Sequence, residues 1–188
     1  MSFYPQRGAP LPIELANTLF AQDGQLRDAL ATPDDLAEWL RTNASSFSER
    51  ARAAATGQLG AFRALRDAIR LLLSAAADGH QPPQAAVRTL NRLSAQAPSC
   101  PRLEWLDSVP RMVVETARAD AEAVGIVTRA AIALLAGPER EHIGVCQAPG
   151  CVLFFLKQRR RRDWCSTSCG NRARVARHYR RHRGAALV

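Results

Sequence analysis

The chain has 188 residues, nearly half of them apolar, which allows one domain of ordinary size with a real core and a small second module. No apolar run reaches the roughly 18 residues that suggest a membrane span, and Met1 to Arg7 lack the apolar stretch of a secretory signal, so cytosolic residence is the expectation. The net charge of +9 is concentrated: residues 157–183 hold eleven Lys/Arg against one Asp, a net of +10, so the rest of the chain sums to −1.

Residues 12–20 open the chain with a short apolar element. Thr32-Pro33-Asp34-Asp35 predicts a helix start: Thr32 caps, Pro33 fits the first turn, and two acids meet the positive end of the dipole. Leu36, Trp39 and Leu40 then share a face. Phe47 to about Ala77 reads as one long helix or two, with Leu59, Phe62, Leu65, Ile69, Leu72 and Leu73 at helical spacing. Asp78-Gly79 stops it, and Pro82-Pro83 opens another helix that turns Val87, Leu90 and Leu93 inward and ends near Pro98. Residues 100–116 read as a β-hairpin about Asp107-Ser108-Val109-Pro110. Thr116 to Ala136 returns to helix, packing through Ala117, Ala121, Val124, Val127, Ala131, Leu134 and Leu135. Gly137-Pro138 ends it and divides a helical domain, 1–137, from a C-terminal module, 138–188.

That module contains Cys146, Cys151, Cys165 and Cys169, spaced C-x4-C-x13-C-x3-C. Two close pairs across a short loop can wrap one tetrahedral ion, and soft thiolates suit Zn²⁺. In the cytosol thiols stay reduced, which favours metal over disulfides. Four thiolates also hold iron–sulfur clusters, and unrelated buried cysteines are the plainest alternative. Pro149-Gly150 lets the first pair turn tightly, with residues 143–145 and 152–156 pairing as a hairpin around it. Ser166 caps a helix that carries Cys169. The fold class is therefore mainly α: a helical domain with a small β-hairpin, then a zinc-bound hairpin-plus-helix module. Cys100 stands apart and reads as a half-buried free thiol. His80 and His142 have no partner at metal or catalytic spacing.

Between the cysteine pairs lie Arg159, Arg160, Arg161 and Arg162. On the following helix Asn171, Arg174, Arg177, His178 and Arg181 share one broad face, while Val175 and Tyr179 lie on another, with Ala173 and Ala176 between, as a small apolar side expected against the metal core. Two arginines would neutralise a four-thiolate zinc centre, and ten are too many for that, so the segment is expected to meet a polyanion. Arg and Asn also read guanine and adenine edges. Arg172 is expected to hold the knuckle instead. Asn17, Thr18 and Trp39 are candidates for a pocket in the helical domain, although a buried polar pair more often bridges elements.

The run Trp164-Cys165-Ser166, then Cys169-Gly170-Asn171-Arg172, within Cys146 to Arg183, resembles the CGNR zinc finger, named for that tetrapeptide. Upstream, Leu15-Ala16-Asn17-Thr18, the stretch Thr32-Pro33-Asp34-Asp35-Leu36 with Trp39-Leu40, and a helix ending Ala133-Leu134-Leu135 resemble the ABATE domain, which usually has a bulkier residue where Ala16 stands. The resemblance implies a bacterial protein with a mostly helical N-terminal domain, one Zn²⁺ per chain, and a role among stress-induced transcription regulators. Double-stranded DNA is then the expected partner, at the nucleoid, with a homodimer or a second contact surface to strengthen a lone finger. The helical domain is expected to sense a ligand or to oligomerise, and the sequence identifies no small-molecule ligand for it. An RNA-binding zinc protein is the first alternative, since an Arg-rich helix suits structured RNA. An enzyme with a structural zinc comes last, because no nucleophile–base arrangement, phosphate loop or open metal position is visible.

Overall fold

A computed structural model of the chain describes residues 8–106, 108–157 and 163–185, with side chains up to residue 180. Helix α1, Leu11–Ala16, carries Pro12 in its first turn and closes on Asn17. The chain turns through Thr18, whose hydroxyl donates to the Leu15 carbonyl at 2.7 Å. It then forms a hairpin of β1, Leu19–Gln22, and β2, Gln25–Asp28. The loop is Asp23-Gly24, with φ of 51° and 74°, the pair of positive angles that a two-residue type I′ turn demands. The sequence reading placed only a short apolar element here.

Helix α2, Pro33–Thr42, begins with a full capping box: Thr32 accepts from the Asp35 amide at 3.2 Å while Asp35 accepts from the Thr32 amide at 2.8 Å. Leu36, Trp39 and Leu40 are buried, as their spacing predicts. The next helical stretch resolves into α3, Glu49–Ala55, capped by Ser48, and α4, Leu59–Asp78. Gly79 ends α4 in the left-handed region at φ 70°, its amide returning to the Ala75 carbonyl. Helix α5, Gln84–Gln96, follows Pro83. Strands β3, Ser99–Leu106, and β4, Val109–Thr116, pair antiparallel as the predicted hairpin.

Helix α6, Ala119–Ala136, starts later than expected, leaving Ala117 exposed outside it. Gly125 lets α6 approach α5 closely: a Cβ there would stand 2.6 Å from the Cβ of Ala97. After a 3₁₀ turn over Pro138–His142 come β5, Ile143–Val145, and β6, Phe154–Leu156, then α7, Thr167–Ala185.

The main core gathers Ile13, Leu15, Leu36, Trp39, Phe62, Ile69, Leu73, Val127 and Ala131, and it also takes in Ile143 and Phe154 from beyond the Gly137-Pro138 junction. Trp39 sits in its centre, 5.8 Å from the rings of both Phe47 and Phe62. Its indole nitrogen is buried without a hydrogen-bond partner among the described residues.

Two charged side chains brace the core. Arg66 is 4% exposed and pairs with Asp28 and Asp67, which supplies the compensation a buried guanidinium needs. Burial alone would raise the Asp28 pKa, but hydrogen bonds from Arg66 and the Leu30 amide outweigh it and hold the carboxyl below its ordinary value. Arg70 donates to the carbonyls of Ala16 at 2.7 Å and Val152 at 3.1 Å, and its guanidinium lies 5.1 Å from the centre of the Phe154 ring. No helix among the described residues is long and apolar enough to cross a membrane.

Candidate metal centre

The C-terminal module is built on the β5–β6 hairpin, in the register Ile143↔Leu156, Gly144↔Phe155, Val145↔Phe154. One further bond, from the Cys146 amide to the Leu153 carbonyl at 2.9 Å, extends the ladder and places Cys146 at its end. The chain then reverses through Ala148-Pro149-Gly150-Cys151. Cys151 donates its amide to the Ala148 carbonyl at 3.0 Å and Gly150 has φ 71°, the signature of a type II turn with Pro and Gly at the central positions. Asp163, just before the second cysteine pair, lies beside the hairpin, where its carbonyl accepts from the Gln147 amide at 3.0 Å. Ser166 caps α7 by accepting from the Cys169 amide at 3.2 Å, so Cys169 sits in the first turn with its thiol at the positive end of the helix.

These local rules converge the four sulfurs, which all lie within 4.8 Å of one another. Cys151 and Cys165 are 3.9 Å apart and Cys165 and Cys169 3.5 Å, close to the ~3.8 Å that a tetrahedron with Zn–S of about 2.3 Å requires. The outer shell suits thiolates. The Cys165 amide points at the Cys146 sulfur at 3.4 Å, and Arg172 donates to the Cys169 sulfur at 3.3 Å, the holding role expected of that arginine. Leu153, Phe155 and Ala173 are buried around the sulfurs, with Trp164 and Phe20 packed against them. Phe20 comes from β1, so the hairpin that the sequence reading passed over forms one wall of the centre.

Crowded within 4.8 Å of one another, the four thiols share protons unevenly. Hydrogen bonds from Cys151 and Cys165 lower the pKa of Cys146 to about 2, ahead of the opposing effect of burial. The reciprocal bond to Cys146 raises Cys151 to about 11, and Cys165 is raised further for the same reason. A divalent ion replaces the shared protons and lets all four sulfurs ionise. The four cysteines thus fit one zinc ion per chain. Its chemistry there is that of a cross-link, because four protein donors complete the tetrahedron.

The basic residues are placed less uniformly than their spacing suggests. Asn171, Arg174 and His178 follow one another on an exposed strip of α7. Arg174 donates to Asn171 Oδ1 at 2.8 Å and to the Gly170 carbonyl, so these side chains hold each other in place. Arg177 turns toward a cleft lined by Gln147, Pro149, Asp163, Trp164 and Ala173. Arg180 lines the same cleft; sequence reasoning missed it, although its spacing of three from Arg177 was a usable signal. Arg181 lies in α7 with its side chain outside the described residues, and Arg159, Arg160, Arg161 and Arg162 also lie outside them.

The expected apolar side of α7 is corrected. Val175 is 54% and Tyr179 66% exposed, whereas Ala173 is buried. The Cys169 ligand fixes the helix phase, and Ala173, one turn on, falls against the finger while Val175 and Tyr179 point away. Cys100 is exposed, not half-buried. Asn17 bridges elements, exchanging two hydrogen bonds with the backbone of Phe154, each 2.9 Å, while the buried Thr18 hydroxyl is satisfied locally by the Leu15 carbonyl.

A helical domain that shares its core with a four-cysteine hairpin-and-helix centre defines a zinc-finger protein with an α-helical N-terminal partner domain. Residues 9–138 match the ABATE family, described as a putative stress-induced transcription regulator, and residues 142–182 match the CGNR zinc finger. The chain belongs to the ABATE family and carries a CGNR finger. Among curated proteins, none matches it. In the tetrapeptide that names the finger, Cys169 is a ligand, Gly170 lies against the Trp164 ring, Asn171 holds Arg174, and Arg172 supports the ligand sulfur.

Proposed function

We propose that the protein is a DNA-binding transcription regulator in which the finger grips duplex DNA through residues 157–183 and the helical domain senses a ligand or oligomerises. The observation that carries this reading is the cationic helix anchored to the metal centre. Its first turn is held by Cys169, and it presents Arg174, His178, Arg177 and Arg180 from an exposed surface. A helix held at one end by zinc, with charged donors along it, suits insertion against a phosphate backbone. The Asn171–Arg174 pair offers the side-chain types that read adenine and guanine edges. Arg159 to Arg162 add charge for phosphates in the segment before Cys165. A closed set of four sulfur donors supports a non-enzymatic role, since it leaves no position for a substrate. Residence in the cytosol at the nucleoid accompanies this function.

The test is binding of the zinc-loaded chain to random and selected duplexes over a range of salt. Replacing Arg159 to Arg162 by Ala should weaken binding to all sequences alike and shrink the log–log salt slope by up to about 0.9 per lost phosphate contact. Arg174→Ala should cost about 1–3 kcal/mol on a selected site and much less on random duplex. Absence of salt-dependent duplex binding at low ionic strength would remove the DNA reading, and preference for structured RNA in direct competition would replace it.

A further inference from the structure

Strands β3 and β4 form a two-stranded ribbon that stands out from the helices: every described residue from Cys100 to Glu115 is exposed. Opposed residues of an antiparallel pair share a face, so the register divides the ribbon into two unlike sides. One side carries Cys100 with Glu115, Arg102 with Val113, Glu104 with Arg111, and Leu106 with Val109. Its charges are matched internally, Arg102 bonding Glu115 and Arg111 standing opposite Glu104. The other side carries Pro101 with Val114, Leu103 with Met112, and Trp105 with Pro110, and none of these six is charged. Leu103 is 70%, Trp105 67% and Met112 76% exposed, so that side is an open apolar face.

The ribbon's edges are blunted. A proline fits a ladder only where its missing amide would point away from the paired strand. Pro101 in β3 and Pro110 in β4 therefore each remove an outward donor, one from either edge, which disfavours addition of a third strand. Association through this ribbon runs through its face.

We propose that the apolar face of the β3–β4 ribbon is a homodimer interface, closed by the same face of a second copy. The face is self-complementary under a two-fold axis. With Leu103 and Met112 at the axis, Trp105 and Pro110 of one copy cover Pro101 and Val114 of the other. The six residues expose roughly 600 Å², so complete mutual burial would remove at most about 1,200 Å², the lower end of the range for specific, stable interfaces. The internally neutral opposite side offers no net charge to select a charged partner. Such a dimer would carry two arginine helices to two half-sites. Its test reads mass and not DNA binding, so the two readings fail separately.

Sedimentation of the zinc-loaded full chain under reducing conditions should give a dimer at tens of micromolar. Met112→Glu should raise the dissociation constant at least about 30-fold, because the carboxylate enters an apolar contact, while helical circular dichroism and zinc content stay unchanged. Val113→Glu, on the opposite side, should shift it less than about threefold. As an independent readout in a Cys100→Ser background, Leu103→Cys should oxidise to a disulfide between copies and Arg102→Cys should not. A chain that remains monomeric at about 200 μM, or equal shifts from the Met112 and Val113 substitutions, would overturn the proposal.

Discussion

Asn17 is the position where a small change should have a large and diagnosable effect. It is 2% exposed, and its amide pairs with both backbone groups of Phe154, standing in for the next strand beyond β6. Asn17→Ala leaves a buried N–H and a buried C=O without partners. Each orphaned group costs about 1–3 kcal/mol, and a water entering the small space offsets part of this, so the net loss should be about 3 kcal/mol. For a chain of this size that corresponds to a fall in melting temperature of roughly 6–12 °C. Asn17→Asp keeps the acceptor for the Phe154 amide but turns a carboxylate oxygen toward the Phe154 carbonyl, so it should be no milder than Ala. Thermal melts of the zinc-loaded protein by circular dichroism measure the loss. Zinc transfer to a chelator should also speed up, because β6 leads into the cysteine loop. A shift of less than about 2 °C for Asn17→Ala would refute the reasoning, since water would then be satisfying both groups without loss.

Other consequences follow from the same geometry. Elemental analysis should find one zinc per chain, and Cys165→Ser should abolish it and expose residues 157–183 to protease. Binding zinc must displace protons from at least Cys151 and Cys165, so affinity should rise with pH, about 100-fold per unit near neutrality for two protons, in a competitive chelator titration. Asp28 has a depressed pKa in the fold, so the stability it lends is complete above the ordinary carboxylate range and is lost as pH falls through the folded value. The acid limb of the melting profile should therefore flatten in Asp28→Asn, at a cost of about 2–4 kcal/mol near neutrality, because Arg66 keeps only Asp67 as its carboxylate partner. A fragment of residues 1–137 should melt well below the full chain, because it lacks the Ile143 and Phe154 side chains, worth about 1.5–3 kcal/mol each when fully buried.

Much of the architecture was legible because it rests on local chemistry. Thr32 with Asp35, Gly79 after Asp78, and Pro149-Gly150 between two ligands each encode a stop, start or turn within a few residues. The hairpin of β1 and β2 was missed despite its Asp23-Gly24 signal, because strands of four residues are too short to show alternation. The phase of α7 was misjudged because Val175 and Tyr179 look like core residues, while the true contact, Ala173, is set by ligation at Cys169. Asn17 and Phe154 lie 137 positions apart, and no pattern in either segment announces their pairing.

The pairing of Asn17 with Phe154 also limits how freely the finger can be exchanged between proteins. A cassette cut near residue 138 carries all four ligands but leaves behind Asn17, Phe20 and Arg70, which close the edge of β6, wall the sulfur cluster and tie down Val152. Grafted onto an unrelated domain, it would expose Ile143 and Phe154 to water and lose the brace that aims its arginine helix. Exchange should succeed only where the recipient domain offers an amide side chain and a guanidinium at the matching places, so this zinc module depends on its neighbour for more than a linker.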